Sequence, residues 1–101
     1  MAAGYFNRSL DVPASGNGDA LPLEQIADKW LHIFGTWNSA VLKLQITVDG
    51  TNWFDHSAMT ALSADSFEEL QQAVKQVRLV VVSGSGHSLT ALVRGFDLSK
   101  S

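Results

Sequence analysis

The sequence predicts an all-β protein, a jelly-roll-like antiparallel β-sandwich of about seven short strands. Apolar and polar residues alternate strictly over residues 40–48, and residues 76–82 form a β-branched run. Turn residues follow both segments, Asp49–Gly50 after the first and Ser83–Gly86 after the second. The 101 residues suit one domain with one core.

The alternating segment is the best-defined element. Successive side chains of a strand point to opposite faces, whereas a helix would scatter the apolar residues around its circumference. Asp49–Gly50 suits a tight hairpin turn, so Thr51–Phe54 is predicted to begin the return strand, with Trp53 as a core anchor. The apolar residues expected on the buried face are Ala40, Leu42, Leu44, Ile46 and Val48.

The remaining strands are predicted from shorter patterns. Residues 5–12 and 30–34 are strand-like, and Pro22 favours an extended chain at residues 21–23. The small residues at 14–20 predict a flexible surface loop. Residues 76–82 and 88–96, joined by the Gly/Ser turn, predict a second hairpin.

Residues 66–74 allow two interpretations. Ser66 and Glu69 have the spacing of a capping box, and Phe67, Leu70 and Val74 lie at helical spacing. Local rules therefore favour a short helical turn. The neighbouring strand pattern favours another strand, and both alternatives stay open at this point.

Composition argues against several classes of function. The formal net charge is −3 and no basic cluster occurs, so we expect no nucleic-acid binding, which depends on cations placed against phosphates. The absence of cysteine excludes disulfides and thiolate chemistry. The N-terminus lacks the pattern of a signal peptide, and no apolar run approaches the roughly 20 residues of a membrane span. We therefore expect cytoplasmic synthesis and no membrane partner.

The charged fraction is low. Charged residues make up 17% of the chain, against about 25% in ordinary soluble domains. A weakly charged surface indicates that part of it is buried against another chain. The protein is therefore expected to form a homo-oligomer.

No pattern of catalytic or metal-binding residues emerges. His32, His56 and His87 are too far apart in sequence for a compact metal motif. Asp55–His56–Ser57 cannot form a triad, because adjacent strand residues face opposite ways. Glu68–Glu69 are neighbours and cannot face each other across a cleft. We predict a protein that is not an enzyme and uses no cofactor or metal.

The tryptophans are the remaining candidates for a binding role, because tryptophan offers a large contact area at low entropic cost. Trp37 lies in a predicted connection beside Asn38, and both an exposed interface position and a core position stay open for it. Trp37, Asn38, Tyr5 and Phe6 are the predicted interface residues.

Two motifs resemble a known class of protein. The first is Phe34–Gly35–Thr36–Trp37 followed by the alternating strand and Asp49–Gly50–Thr51–Asn52–Trp53; the second runs from Val77 to Thr90 through the Gly/Ser turn. The chain resembles, over residues 30–95, small β-sandwich proteins encoded among bacteriophage structural genes. It departs from their pattern at Val48, where a serine is usual.

The resemblance implies a virion protein, assembled in the host cytoplasm, that contacts capsid or tail subunits. Within that class we expect a capsid decoration protein, because one compact sandwich suits a clamp attached to a surface. A tail or adaptor component and a carbohydrate-binding module of the particle are the alternatives. The resemblance implies no catalytic residue.

Overall fold

The computed structural model describes residues 4–70 and 74–97, which fold without any helix. The strands of that part are β1 (Gly4–Leu10), β2 (Gly16–Asn17), β3 (Leu21–Pro22), β4 (Ile26–Thr36), β5 (Val41–Thr47), β6 (Phe54–Asp55), β7 (Ser66–Leu70), β8 (Gln76–Ser83) and β9 (Ser88–Asp97).

The strands form two antiparallel sheets. Sheet A has four strands in the order β1-β9-β4-β7. Sheet B has the order β2-β8-β5-β6, with β3 also paired to β8. The inner faces of the two sheets share one apolar core, so the predicted β-sandwich is confirmed.

The core comes from alternate residues of both sheets. Leu31 and Ile33 of β4 face inward beside Ala91 and Val93 of β9, their cross-strand partners. Sheet B contributes fully buried side chains from its two central strands, among them Leu42, Leu44, Val77 and Leu79. The period of two that was read from the sequence therefore sets the core.

The predicted buried face of β5 holds for half its length. Ala40, Leu42 and Leu44 are fully buried, but Ile46 is only partly buried and Val48 is 66% exposed. Thr47 is fully buried in their place. The strand ends there, and the Thr47 hydroxyl accepts a hydrogen bond from the Gly50 backbone N–H at 2.9 Å.

The Asp-Gly turn is wider than a tight hairpin, because pairing resumes only at Ile46–Phe54. Asp49 organises the loop: its Oδ1 accepts the backbone N–H groups of Thr51 and Asn52, both at 2.8 Å. These bonds hold the pKa of Asp49 well below its usual range. The return strand exists as β6 but begins at Phe54.

Trp53 is not a core anchor, and that prediction is wrong. It lies outside the buried cluster, and its ring sits under the guanidinium of Arg78, 4.2 Å from Cζ to the ring centroid. The large loop moves Trp53 out of register with the inner face. Trp37, from another connection, packs against the core instead.

The second predicted hairpin is also wrong, because β8 belongs to sheet B and β9 to sheet A. Residues 84–87 carry the chain from one sheet to the other, and residues 37–40 do the same between β4 and β5. We call residues 37–40 the first crossing and residues 84–87 the second crossing. They touch: a Cβ added at Gly84 would lie 2.6 Å from the Ala40 Cα.

Residues 66–70 form a strand, so the helical alternative is wrong there. β7 pairs with β4 from Lys29–Leu70 to Ile33–Ser66, and this pairing satisfies the backbone groups that a helical turn would have bonded locally. Residues 71–73 lie outside the described part of the chain. Val74, where the structure resumes, is buried.

The segment 14–20, predicted as a flexible loop, is a surface segment attached to sheet B. Its centre forms β2, which pairs with Val80 and Val81 of β8. The Gly18 backbone N–H donates to the Leu79 carbonyl at 2.7 Å.

Candidate binding surface

The four predicted interface residues fall in two separate places. Trp37 and Asn38 lie in the first crossing, at one end of the sandwich. Tyr5 and Phe6 lie on β1, at the edge of sheet A, and face opposite ways. Phe6 packs against the core, whereas Tyr5 is 87% exposed on the outer face.

Trp37 helps to fix the first crossing. Its ring packs against the core, and its Nε1–H donates to Asp65 Oδ1 at 2.8 Å. The same carboxylate oxygen accepts the Gly35 backbone N–H at 3.2 Å. These contacts fix the geometry of the turn, and Asn38 beside it remains exposed.

The outer face of sheet A is aromatic. Antiparallel sheets usually alternate an apolar inner face with a polar, solvated outer face. Here each of the four strands of sheet A places at least one large apolar or aromatic side chain outward. We define the aromatic face as Tyr5, Trp30, His32, Phe34, Phe67, Leu92 and Phe96.

The rings of this face pack on one another and form one layer. Trp30 stacks on Phe67 with ring centroids 4.7 Å apart. His32 contacts the rings of Phe34 and Phe67 at 4.7 and 5.4 Å. Trp30, His32, Phe34 and Leu92 are half-buried by these contacts, whereas Phe67 is 57% exposed. Contiguous exposed apolar surface of this kind makes the aromatic face the candidate contact site.

A cleft of about 380 Å³ adjoins this layer between β1 and the irregular start of β4. Tyr5 and Phe96, whose ring centroids lie 5.3 Å apart, form one wall. The bulge between Ala27 and Trp30 opens the other side, since it interrupts the pairing of β4 with β9. The cleft extends the aromatic face beyond the flat part of the sheet.

The outer face of sheet B differs in character. Asp55 forms an ion pair with Lys43 at 3.2 Å and accepts a hydrogen bond from Gln45 at 3.0 Å. The Arg78 Nε–H donates to the side-chain oxygen Oε1 of Gln45 at 2.9 Å. The bonds from Gln45 and Lys43 lower the pKa of Asp55. This polar network is what a solvated outer face requires, and it makes the aromatic face the exception.

A second cleft, of about 490 Å³, lies at the end of the sandwich beside Lys29. Lys29 is 6% exposed, and its Nζ donates to the Ile26 carbonyl at 3.1 Å. Burial lowers its pKa, and the nearby Asp28 carboxylate acts in the opposite direction. The amine therefore lies buried at one end of the core, bonded to the backbone and not presented at the surface.

The three histidines lie in separate parts of the structure, and each has a different environment. His32 belongs to the aromatic face, His56 is buried behind β5, and the His87 Nε2–H donates to the Pro13 carbonyl at 2.8 Å. Among residues 4–70 and 74–97, no group of three acidic or histidine side chains is placed to hold a metal ion. The same ranges contain no helix long and apolar enough to cross a membrane.

Sequence reasoning identified Tyr5 but missed the rest of the aromatic face. A signal existed in residues 30–34, where both the odd and the even positions are apolar or aromatic. A strand with two such faces must cover both of them. The pattern does not say which chain covers the second face.

The sequence matches no protein-family model, and no curated protein matches it. The fold does have a counterpart. The crystal structure of the SPBc2 prophage-derived protein YomS aligns over 94% of this chain and 95% of that one, with a TM-score of 0.68. The chain has the fold of a prophage-derived protein. The two are 13% identical, so the likeness to YomS is one of fold.

Proposed function

We propose that the chain is a bacteriophage virion structural protein, and within the virion a capsid decoration protein that binds neighbouring subunits. The observation that carries the proposal is the aromatic face. An isolated domain has no use for a layer of exposed rings, whereas a subunit of an assembly buries such a layer against protein. The fold shared with YomS supports the phage context.

A decoration protein needs at least two contact surfaces, one for the shell and one for a neighbouring copy or subunit. The aromatic face supplies one of them. The loops around Trp37 and Asn38, at the end of the sandwich, supply the other. Asn38 is exposed and held in shape by its bond to the second crossing. A rigid loop of this kind binds at low entropic cost.

The test begins with purified particles of the phage that encodes the chain. We expect the protein in them, at a copy number comparable to that of the major capsid protein. Particles made without the gene should bind added protein until the sites are saturated. Separated heads and tails identify the location: binding to heads alone supports decoration.

Binding to tails alone would overturn the decoration role, and absence from particles would overturn the virion assignment. Asn38→Asp and Trp37→Phe should weaken head binding if the loop is the contact. Val48→Ser is the matched control, because Val48 is exposed and lies outside both proposed surfaces. Circular dichroism verifies that each variant is folded.

A further inference from the structure

We propose that the occupant of the aromatic face is a second copy of this chain, related by a two-fold axis that runs along β4. The inference deepens the binding role of that face and rests on it. It names the partner and predicts which residues meet. The argument comes from the register of three neighbouring strands, β9, β4 and β7.

The outward side chains of these strands form rows across the sheet. In one row Trp30 of β4 lies between Arg94 of β9 and Glu69 of β7. In the next row His32 lies between Leu92 of β9 and Phe67 of β7. Each row therefore has a member of β4 at its centre and one flanking residue on either side.

A two-fold axis along β4 exchanges the flanking strands. It places β9 of one copy over β7 of the other, at the same level along the strands. Arg94 then faces Glu69 of the partner subunit, and Leu92 faces the partner's Phe67. Opposite charges meet in one row and apolar groups meet in the next, twice each because the contact is isologous.

The residues at the centre of the proposed interface also suit a dimer contact. Trp30 and His32 lie next to the axis and meet their own equivalents, so the aromatic rings are buried at the middle and the charged pairs lie outside them. This is the usual arrangement of an interface, with a desolvated aromatic centre and a polar rim. Two sheets packed face to face in this way resemble the contact inside a β-sandwich.

The remaining surface explains why the partner does not use the other sheet. The outer face of sheet B carries the network of Lys43, Asp55, Gln45 and Arg78, in which Lys43 and Asp55 form an ion pair within the chain. Arg94 and Glu69 lie on the two strands that flank β4, on opposite sides of Trp30. A second copy brings these opposite charges together across the interface.

The experiment is a charge exchange measured by sedimentation equilibrium on the full chain. We expect the wild type to be a dimer. Arg94→Glu and Glu69→Arg should each weaken the dimer about tenfold or more, because each places like charges opposite one another. The double variant R94E/E69R should recover most of the wild-type affinity, because it restores both opposed pairs.

Two phenylalanine variants test the apolar row. Phe67→Ser should weaken the dimer about tenfold or more. Phe54→Ser is the matched control, since Phe54 is 61% exposed on an edge strand of sheet B and should leave the dimer unchanged. If Phe67→Ser fails to fold, the charge exchange still decides the question.

Three results would overturn the two-fold dimer: a wild-type monomer at all concentrations, an assembly of other than two copies, or a double variant no better than either single one. Particle binding separates this proposal from the virion role. If the protein is a monomer that binds heads, the dimer proposal is wrong and the virion proposal stands. If the protein is a dimer that binds no particle, the virion proposal is wrong and the dimer proposal stands.

Discussion

The side-chain amide of Asn38 donates a hydrogen bond to the backbone carbonyl of Ser85 at 2.9 Å. This bond joins the first and second crossings, two of the places where the chain passes between sheets A and B. Asn38 itself has a φ of 48°, in the left-handed region that asparagine tolerates better than most residues. The two crossings therefore support each other at one end of the sandwich.

Gly84 is where the crossings are closest. Its φ is +91°, and a Cβ there would lie 2.6 Å from the Ala40 Cα. We expect Gly84→Ala to lower the free energy of unfolding by about 3 kcal/mol or more, because backbone must move as well as adopt a strained φ. Urea unfolding measures the loss.

Gly16 is the control for that substitution. It also has a positive φ, +68°, but a Cβ there would meet nothing within 4 Å. Gly16→Ala should cost only the left-handed penalty, about 1 kcal/mol. Equal losses at the two positions would show that the close approach of the crossings contributes nothing.

Leu44 and Val48 test where the inner face of β5 ends. Alternation alone places both on the buried face, but Leu44 is fully buried and Val48 is 66% exposed. Leu44→Ala should cost about 2–5 kcal/mol, and Val48→Ala should stay within about 0.5 kcal/mol of wild type. Similar losses of stability from the two substitutions would contradict the finding that Thr47, and not Val48, occupies the last buried position of the segment.

Asp49 makes stability depend on pH. Its folded-state pKa is depressed below the ordinary value of an aspartate by the hydrogen bonds of Asn52, Thr51 and Thr47. A group with a depressed folded pKa contributes stability above its unfolded pKa and loses it as pH falls toward the folded value. The contribution of Asp49 should therefore be complete at neutral pH and decline below about pH 4.

Asp49→Asn isolates this effect. The variant should have a lower urea midpoint than wild type at pH 7, and the difference between the two proteins should narrow as the pH falls from 4 to 2. Urea titrations at several pH values measure it. A difference that is constant with pH would mean that the Asp49 charge does not contribute.

Local sequence pattern was sufficient for most strands but not for their assignment to sheets. Alternation identifies which side chains of a strand share a face, and it located Leu42 and Leu44 correctly on the inner face of β5. A Gly/Ser turn between two strands has the same local pattern whether the chain folds back in one sheet or crosses to the other. Only packing between distant segments, such as Gly84 against Ala40, distinguishes the two.

The candidate surface was less predictable for a related reason. Residues 30–34 show that β4 is apolar on both sides, but Phe67 and Leu92 join Trp30 and His32 only through strand pairing. Phe67 was also compatible with a helical turn, in which it would not have met Trp30. The aromatic face is a property of the register, which no single segment encodes.

Arg78 and Trp53 form the contact that holds the long β5–β6 loop against sheet B. The guanidinium carbon lies 4.2 Å from the ring centroid, and Arg78 also donates to Gln45. In a double-mutant cycle with Arg78→Met and Trp53→Leu, we expect a coupling energy of about 0.5–1 kcal/mol, the usual size of a partly exposed cation–π pair. A control cycle with Arg78→Met and Tyr5→Leu should be additive, because Tyr5 lies on the other sheet. If Trp53 shows no more coupling than Tyr5, the loop is held by Asp49 and its neighbours alone.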